Sequence, residues 1–406
     1  MEYESPNVEM RVVYTGQEPP HGYSKSIFLA GPTPRQPLVS AEEAKELDWK
    51  YEALRLLEQM GYDGVVYVPL WESDPFPYDV QVAWEVQNLN RADQIVFWVP
   101  RDMEKMPALT TNVEFGRYHD TGRVVLGFPP TAVSMRYLAT RASASAVPIC
   151  DTLEATLGTA LNYLGQGRKR VGGERDIPLN TWRTPPFQEW LTSQKCVGNR
   201  LDGAEVLWSF RVGPQRQFTF ASIVRVNVHI ASEGRNKTNE FVFFRPDIST
   251  LVGYNRKDPV GETEIALIRE FRSPVRNKSG FIWEVPGGSS WKPHTDPIET
   301  MLHEMEEETG LGPENGFTIE KERIRYLGSR QLCGTLSSHK AHVFACPLSE
   351  EEMQFLRNEE DSGHAHGVAA DSEQTYVHVM TVQELFKAEE DSLDWSMVGM
   401  ILNALL

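Results

Sequence analysis

The stretch Ser26-Ile27-Phe28-Leu29-Ala30-Gly31-Pro32 sets the fold of the N-terminal part of this chain. A short apolar run that ends at a Gly-Pro pair predicts a buried strand that stops in a tight loop. Three further apolar runs of this kind follow, at residues 64–69, 94–100 and 123–127. Helical patterns lie between and after them, at residues 40–61, 82–90, 113–119 and 151–164. Nearly continuous apolar strands that alternate with helices are typical of a parallel sheet with both faces covered.

This pattern predicts a doubly wound α/β domain of the flavodoxin-like type over residues 25–165. Ligands of such sheets bind beyond the carboxyl ends of the strands. We therefore expect binding residues in three loops, at residues 31–39, 69–81 and 100–113. The sequence has no Gly-x-Gly-x-x-Gly and no Gly-x-x-x-x-Gly-Lys-Ser/Thr, so neither a dinucleotide fingerprint nor a P-loop is supported.

Length and composition limit the class of protein. A chain of 406 residues is long for one core, so we expect two domains. The formal net charge of -17 argues against nucleic acid as a partner, because phosphate backbones bind basic surfaces. The four cysteines show no Cys-x-x-Cys spacing, which favours free thiols. No apolar run approaches the roughly 18 residues that span a bilayer, and the acidic N-terminus is unlike a secretory signal. These features predict a cytoplasmic protein without a membrane partner.

The character of the sequence changes after residue 165. Residues 166–200 are rich in glycine and basic residues, including Arg168, Lys169 and Arg170, and predict a linker with solvated charges. A contact of these three residues with a phosphate is the alternative. From residue 201 onward, β-branched and aromatic residues follow strand patterns. These predicted strands lie at residues 207–212, 223–228, 240–244, 263–269, 281–285, 340–346 and 375–380. With a glutamate-rich helix among them and a terminal helix from about residue 394, we expect a mixed-sheet domain at 201–406. Residues 1–24 are predicted to be a tail.

The glutamate-rich helix holds the densest cluster of acidic residues in the chain. Residues three and four apart share one helix face, so Glu304, Glu307 and Glu308 can converge on one point. Their mutual repulsion is tolerable on a solvated face, or where a hard divalent cation lies between the carboxylates. The acidic run alone leaves both interpretations open.

Residues 288–311 resemble the signature of the Nudix hydrolase family. That motif ends in an Arg-Glu-apolar-x-Glu-Glu-x-Gly-apolar block, and the matching residues are Glu304, Met305, Glu307, Glu308, Gly310 and Leu311. The resemblance implies an α/β/α sandwich in which Glu304, Glu307 and Glu308 bind Mg²⁺ or Mn²⁺ for attack of water on a diphosphate. Two departures are compatible with altered specificity or reduced activity. His303 replaces the motif arginine, and the earlier motif glutamate falls at His294 or Thr295.

The flanking residues are similar to the ADP-ribose pyrophosphatase branch of that family. The similarity covers residues 265–272 and 283–288 and implies that Arg272 and Glu284 help to bind substrate or metal. Gly288 is a further candidate for substrate binding. It also implies that Glu373, just before the strand at 375–380, can act as general base. An exposed loop carboxylate without that role is the alternative.

The first domain resembles the nucleoside 2-deoxyribosyltransferase-like proteins. The resemblance rests on residues 28–32, on residues 92–98, and on Thr110-Thr111-Asn112-Val113-Glu114-Phe115-Gly116. In that family the glutamate of the last motif is the nucleophile that forms a glycosyl ester, which implies this role for Glu114. The start of a helix would favour its ionised form.

The other expected residues of this site are less specific. Glu85 and Asp102 are candidate acid–base partners, and Gly31 and Asn112 are candidate substrate-binding residues. The alternatives are an exposed helix residue for Glu85, a turn former for Asp102 and a helix cap for Asn112.

Together the resemblances imply a bifunctional enzyme for small-molecule nucleotides. The first domain would cleave or transfer the base of a nucleotide such as NAD⁺, and the second would hydrolyse an ADP-ribose-like diphosphate with Mg²⁺. Homo-oligomerisation is compatible with this interpretation, because the first family often completes its site with a neighbouring subunit. The alternative is a nucleotide-sensing or regulatory protein with one or both sites catalytically degenerate, which the motif departures favour.

Overall fold

The protein is described by a computed structural model. It describes residues 9–35, 46–71, 77–290, 292, 295–368, 373–387 and 392–406. The chain divides into two compact units, residues 1–244 and 245–406. This division falls at residue 244, whereas the predicted start of the second domain is residue 201.

The first unit contains two kinds of sheet and seven described helices. Its strands are β1 Arg11–Tyr14, β2 Gly22–Tyr23, β3 Ser26–Ala30, β4 Val65–Val68, β5 Gln94–Trp98, β6 Val124–Gly127, β7 Ile149–Cys150, β8 Arg170–Val171, β9 Arg200–Val212, β10 Phe218–Ile230 and β11 Arg235–Phe244. Its helices in the described residues are α1 Trp49–Gln59, α2 Tyr78–Arg91, α3 Leu109–Tyr118, α4 Arg136–Ala144, α5 Leu153–Leu164, α6 Leu179–Trp182 and α7 Pro185–Cys196.

The main sheet of the first unit is parallel, as the apolar runs predicted. Its order is β1-β4-β3-β5-β6-β7, and every pairing in it is parallel. Counted from β3, the order 2-1-3-4-5 places the topological switch between β3 and β5. Alternate residues of one strand face two separate cores. Phe28 and Ala30 pack in one core with residues of α2, α3 and α4, whereas Ile27 and Leu29 pack in the other core with residues of α1 and α5.

The predicted tail and the predicted linker both contain regular secondary structure. Residues 11–14, within the predicted tail, form β1, which pairs with β4. This strand was not predicted because it has only four residues and its flanking sequence is polar. Its pairing with β4 stabilises it, and that pairing cannot be seen in the local sequence. The predicted linker 166–200 contains β8, a 3-10 helix at Gly172–Asp176, α6 and α7. Its Phe187 is fully buried in a core that includes Phe244.

Arg170 corrects the prediction of a solvated basic cluster. It is fully buried and forms an ion pair with the buried Asp93. Its Nη1 donates to Asp93 Oδ1 at 2.7 Å, and the carboxylate also accepts from Ser26 N and Leu179 N, each at 2.8 Å. This network fastens the segment after residue 166 to the start of β3, because a buried charge requires paired and hydrogen-bonded partners.

Predicted and observed element boundaries differ mainly at the helices. The helix predicted at 113–119 begins at Leu109, and the one predicted at 82–90 extends over Tyr78–Arg91. The predicted start of the first helix, at residue 40, lies outside the described residues. Strands β9–β11 form a separate antiparallel sheet in the order β11-β10-β9.

The second unit has one mixed sheet, as predicted, but the three strands predicted for it between residues 207 and 244 form the separate sheet of the first unit. Its strands are β12 Ile248–Asn255, β13 Glu264–Phe271, β14 Phe281–Glu284, β15 Gly287–Gly288, β16 Arg325–Gln331, β17 Lys340–Pro347, β18 Ala365–His366 and β19 Thr375–Thr381. Its described helices are α8 Pro297–Thr309, α9 Glu350–Ser362, α10 Val382–Leu385 and α11 Trp395–Leu405. Strands β12 and β17 pair in parallel, and the neighbouring pairs are antiparallel.

Helices cover both faces of this mixed sheet. Met301 and Met305 of α8 and Met353 of α9 pack in one core, whereas Met400 and Ile401 of α11 pack in the other. Strands β12 and β16 and helix α9 were not among the predicted elements.

All four cysteines are free thiols, as their spacing predicted. Among the described residues, no helix combines the length and apolar character needed to cross a bilayer.

Candidate active sites

The first candidate site lies beyond the carboxyl ends of β3, β4 and β5. Gly31 follows β3, and a side chain there would place its Cβ 2.2 Å from the Trp98 carbonyl oxygen and 2.7 Å from the Trp49 ring. Only glycine fits, because real Cβ atoms do not approach other atoms so closely. Gly31 therefore lets the backbone after β3 pass directly over the end of β5.

A buried lysine stands in this region. The side chain of Lys50 has no exposed surface. Its ammonium group donates to Thr33 Oγ1 at 3.1 Å and forms an ion pair with Asp48 Oδ1 at 3.3 Å. Burial lowers the pKa of Lys50, and the charges of Asp48, Glu85 and Glu114 raise it. Lys50 thus supplies a positive charge near two of the predicted catalytic carboxylates.

Glu114 and Glu85 are the carboxylates brought together here. Glu114 is on α3 and Glu85 on α2, and both are half-buried. Burial, and then the charge of Glu85, raises the pKa of Glu114 to about 7, whereas Lys50 lowers it. Burial also raises the pKa of Glu85, whose Oε1 accepts from Gln81 Nε2 at 2.8 Å. Two interacting carboxylates with raised pKa values suit an acid–base pair near neutral pH.

The protonation of Glu114 differs from the expectation of a carboxylate ionised by its helix. Helix α3 begins at Leu109, so Glu114 lies in the second turn. The helix dipole acts within about the first turn. Burial and Glu85 therefore dominate, and they move the pKa of Glu114 upward.

The side chains of Asn112 and Asp102, in the same region, form hydrogen bonds with neighbouring groups of the protein. Asn112 Oδ1 accepts a hydrogen bond from the buried Arg101, whose Nη1 also donates to Ser134 O at 3.0 Å. The exposed Asp102 Oδ1 accepts from Glu104 N and Lys105 N, both at 2.8 Å. Asp102 therefore forms a turn, and these backbone hydrogen bonds lower its pKa. The catalytic role predicted for it stays a prediction.

Lys50 and Asp48 were not among the predicted site residues. Lys50, Ala53 and Leu57 recur at helical spacing and are all buried. A lysine on the apolar face of a predicted helix could have indicated this site, because a buried charge requires a specific partner.

Comparison with known proteins bears on this part of the chain. Residues 24–132 match the family model described as nucleoside 2-deoxyribosyltransferase like. The N-terminal region contains a nucleoside 2-deoxyribosyltransferase-like domain. No curated protein matches the chain. Gly31, Glu85, Asp102, Asn112 and Glu114 all lie within the matched residues of the transferase-like domain.

The second candidate site is built on helix α8 in the second unit. Gly288 lies against this helix, since a Cβ there would be 2.4 Å from Glu304 Oε1. The buried Glu308 accepts from Gly287 N at 2.8 Å through its Oε2. The Gly287-Gly288 strand therefore lies against both carboxylates, and its Gly287 amide fixes the carboxylate of Glu308.

A third carboxylate of this site comes from strand β13. Oxygen atoms of Glu270, Glu308 and Glu373 lie within 4.8 Å of one another. The predicted residues Glu308 and Glu373 are brought together, whereas Glu270 was not predicted. Side chains of a strand point alternately to its two faces, and Glu270 lies on the same buried face as Ile268, whereas Arg269 and Phe271 are exposed. Extending the predicted strand at 263–269 by one residue would have placed Glu270 on that face.

The electrostatics of the cluster are unfavourable without a counter-charge. Burial, and then Glu307 and Glu373, raises the pKa of Glu304 to about 7. Burial raises the pKa of Glu270 to about 7, and Glu373 adds to this while Arg272 opposes it. Burial raises the pKa of Glu308 well above its usual value, and Glu304 and Glu373 raise it further.

Arg272 and His303 lie at the edge of this cluster. Arg272 Nη2 is 2.7 Å from both Glu284 Oε2 and Glu270 Oε2. His303 Nδ1 is 3.1 Å from Glu307 Oε2, and its side chain is 75% exposed. The predicted substrate-binding pair Arg272 and Glu284 is therefore an ion pair in this structure.

The carboxylates fit a hard divalent cation. Mg²⁺ and Mn²⁺ bind carboxylate oxygens, and a cation would remove the repulsion that raises these pKa values. The residues able to hold it are Glu270, Glu308 and Glu373, with Glu304 and Glu307 at the margin of this cluster.

Proposed function

We propose that the transferase-like domain breaks the N-glycosidic bond of a nucleoside or nucleotide and passes the sugar to water or to another base. The observation that carries this proposal is the interaction of the Glu114 and Glu85 charges, inside the matched residues. The two carboxylates have interacting charges and different surroundings. That arrangement suits one nucleophile and one acid–base group.

In the proposed reaction, a Glu114 oxygen attacks the anomeric carbon of the sugar. The carbon–nitrogen bond breaks, its electron pair goes to the departing base, and Glu85 supplies the proton that neutralises that base. The resulting glycosyl ester is then attacked by water or a second base, whose proton returns to Glu85. Lys50 stabilises the ionised form of Glu114 before attack.

Base release from nucleosides tests this proposal. We expect purified protein to release free base from a deoxynucleoside or NAD⁺ without added metal. The value of kcat/KM should rise as Glu114, whose pKa is about 7, ionises to create the nucleophile, and fall at higher pH as Glu85 loses the proton that it donates. Chromatography of the products at pH 5.5 to 8.5 measures both.

The Glu85→Gln variant provides a control for this pH dependence. Removing the Glu85 charge lowers the pKa of Glu114, so the rise in its residual kcat/KM should move to lower pH. An unchanged midpoint would show that the rise belongs to another group. The absence of base release from every nucleoside and nucleotide would refute the proposed activity.

A second candidate function belongs to the second unit, namely hydrolysis of a diphosphate such as ADP-ribose with Mg²⁺. The observation that favours it is the convergence of Glu270, Glu308 and Glu373 beside Arg272, with the charge of Glu304 acting on Glu308. A bound cation would neutralise the diphosphate and lower the pKa of attacking water. Arg272 can contact the phosphates, and Glu373 can accept the proton from water. With both functions, the chain would remove a base and then cleave the remaining diphosphate.

Neutral substitutions in α8 test the second function. We expect Glu308→Gln to reduce Mg²⁺-dependent hydrolysis of ADP-ribose by at least about 10²-fold, and Glu307→Gln to reduce it less. Both should also diminish the rise in melting temperature that Mg²⁺ causes, because binding to the native state is stabilising. Glu306→Gln is the matched control, since Glu306 Oε1 accepts from the Glu314 amide outside the cluster.

Measurements of hydrolysis and of ADP-ribose binding together distinguish a hydrolase from a nucleotide sensor. Unchanged hydrolysis in both Glu307→Gln and Glu308→Gln would refute the assigned site. Calorimetric binding of ADP-ribose with no turnover in the wild type would instead support the nucleotide-sensing alternative.

A further inference from the structure

A cavity in the first unit is lined partly by helix α2 and is separate from the candidate active site. Its volume is about 940 Å³, which is within the range of small-molecule sites. Helix α2 contributes Val82, Val86 and Asn90 to one wall, and the three-stranded sheet contributes Glu205, Val226 and Asn227 to the other. None of Glu85, Glu114 and Lys50 lines it. Helix α2 therefore carries Glu85 on one side and this cavity on another.

The charges along the cavity are largely paired with one another. Arg91 Nη2 forms an ion pair with Asp176 Oδ1 at 3.1 Å, and Glu205 pairs with Arg225. With the exposed Asp79, the walls carry three carboxylates against two guanidinium groups. This balance disfavours a phosphorylated ligand, because each phosphate would meet excess negative charge.

A hydrogen-bonding group remains available in the cavity. The Nε of Arg91 is not that group, because it is buried within the wall and has no surface to offer a ligand. The Asn90 Nδ2 donates to Glu205 Oε1 at 3.3 Å, and Asn227 Oδ1 accepts from Asn236 at 2.9 Å. The amide nitrogen of Asn227 is a donor for a ligand.

Apolar surfaces lie beside these polar groups. Val82, Ala83 and Val86 of α2 line the cavity, and Val82 is 39% exposed, whereas the lining residue Val226 of the sheet is almost fully buried. Aliphatic walls suit the faces of a planar ring, while amide and guanidinium groups suit its polar edge. We propose that this cavity binds an uncharged nucleobase or nucleoside, as a second site separate from the catalytic one.

Two valines of α2 provide a matched pair of variants for the test. Val82 is 39% exposed and lines the cavity, whereas Val80 is 41% exposed and does not. Equilibrium dialysis with adenine and deoxyadenosine would count binding sites in the Glu114→Gln background, where turnover is blocked. We expect Val82→Trp to remove one site per chain, because the indole fills the cavity, and Val80→Trp to remove none.

A gentler variant covers the case in which Val82→Trp misfolds. Asn227→Asp retains the oxygen that accepts from Asn236 but replaces the amide donor with a negative oxygen. We expect it to weaken binding at this site at least 10-fold. Equal site counts in the two tryptophan variants, together with unchanged affinity in Asn227→Asp, would overturn the proposal. So would tighter binding of AMP than of deoxyadenosine at the site that Val82→Trp removes.

These measurements are independent of the proposed catalysis. They count bound ligand and require no turnover, so a protein that never releases base can still show the site. Conversely, active base release with no site sensitive to Val82→Trp would leave the catalytic proposal intact and refute this one.

Discussion

Replacing Glu114 with glutamine is expected to lower base release by at least about 10³-fold while changing nucleoside binding only a few-fold. The amide retains the size of the side chain but removes the nucleophilic oxygen charge. Glu114 is half-buried, so glutamine can fill the same space without exposing the core. Single-turnover measurement of base release, with binding followed by equilibrium dialysis, separates the chemical step from affinity.

Two comparisons make the Glu114 result specific. Glu52 is an exposed glutamate of α1 that pairs with Arg55, so Glu52→Gln should leave base release within twofold of wild type. Mass spectrometry of acid-quenched Glu85→Gln should detect a sugar attached to Glu114, because loss of the acid–base group slows resolution of the ester. Base release at the wild-type rate in Glu114→Gln would show that Glu114 is not the nucleophile.

Substituting asparagine for Asp93 is expected to destabilise the first unit by about 3–5 kcal/mol. The substitution removes the charge that compensates Arg170, and neither side chain of this pair has exposed surface. It also leaves an amide where the carboxylate accepts from the Ser26 and Leu179 backbone N–H groups. Urea unfolding followed by tryptophan fluorescence should show a midpoint lower by about 1 M.

An exposed ion pair of the same unit serves as the control for Asp93. Lys25 pairs with Asp63, whose side chain is 48% exposed. Asp63→Asn should shift stability by no more than about 1 kcal/mol, because exposed pairs contribute little. Adding Arg170→Met to Asp93→Asn should recover part of the loss, since it removes the unpaired buried charge. Equal shifts in Asp93→Asn and Asp63→Asn would contradict the structural role given to Asp93.

Local patterns predicted the strands and sheet types well where burial was continuous. Strand β3 has the predicted bounds of Ser26–Ala30, because all five residues are buried and Gly31-Pro32 ends the run. Helix α8 was predicted from its glutamates and ends at Gly310, which adopts a left-handed conformation. Strand β12, at Ile248–Asn255, was missed because its sequence combines apolar residues with serine, threonine and glycine.

The sequence alone determined the parallel sheet, the mixed sheet and the identity of the candidate carboxylates Glu114 and Glu308. Periodicity carries the sheet types, because it reports which faces must be buried, whereas Glu114 and Glu308 were singled out by motifs that resemble those of known families. The tertiary structure alone decided which charges meet. It places Lys50 near Glu85 and Glu114, pairs Asp93 with Arg170 across 77 residues of sequence, and adds Glu270 to the acidic cluster. Such contacts join separate elements, and pKa values depend on the burial and neighbours that only folding creates.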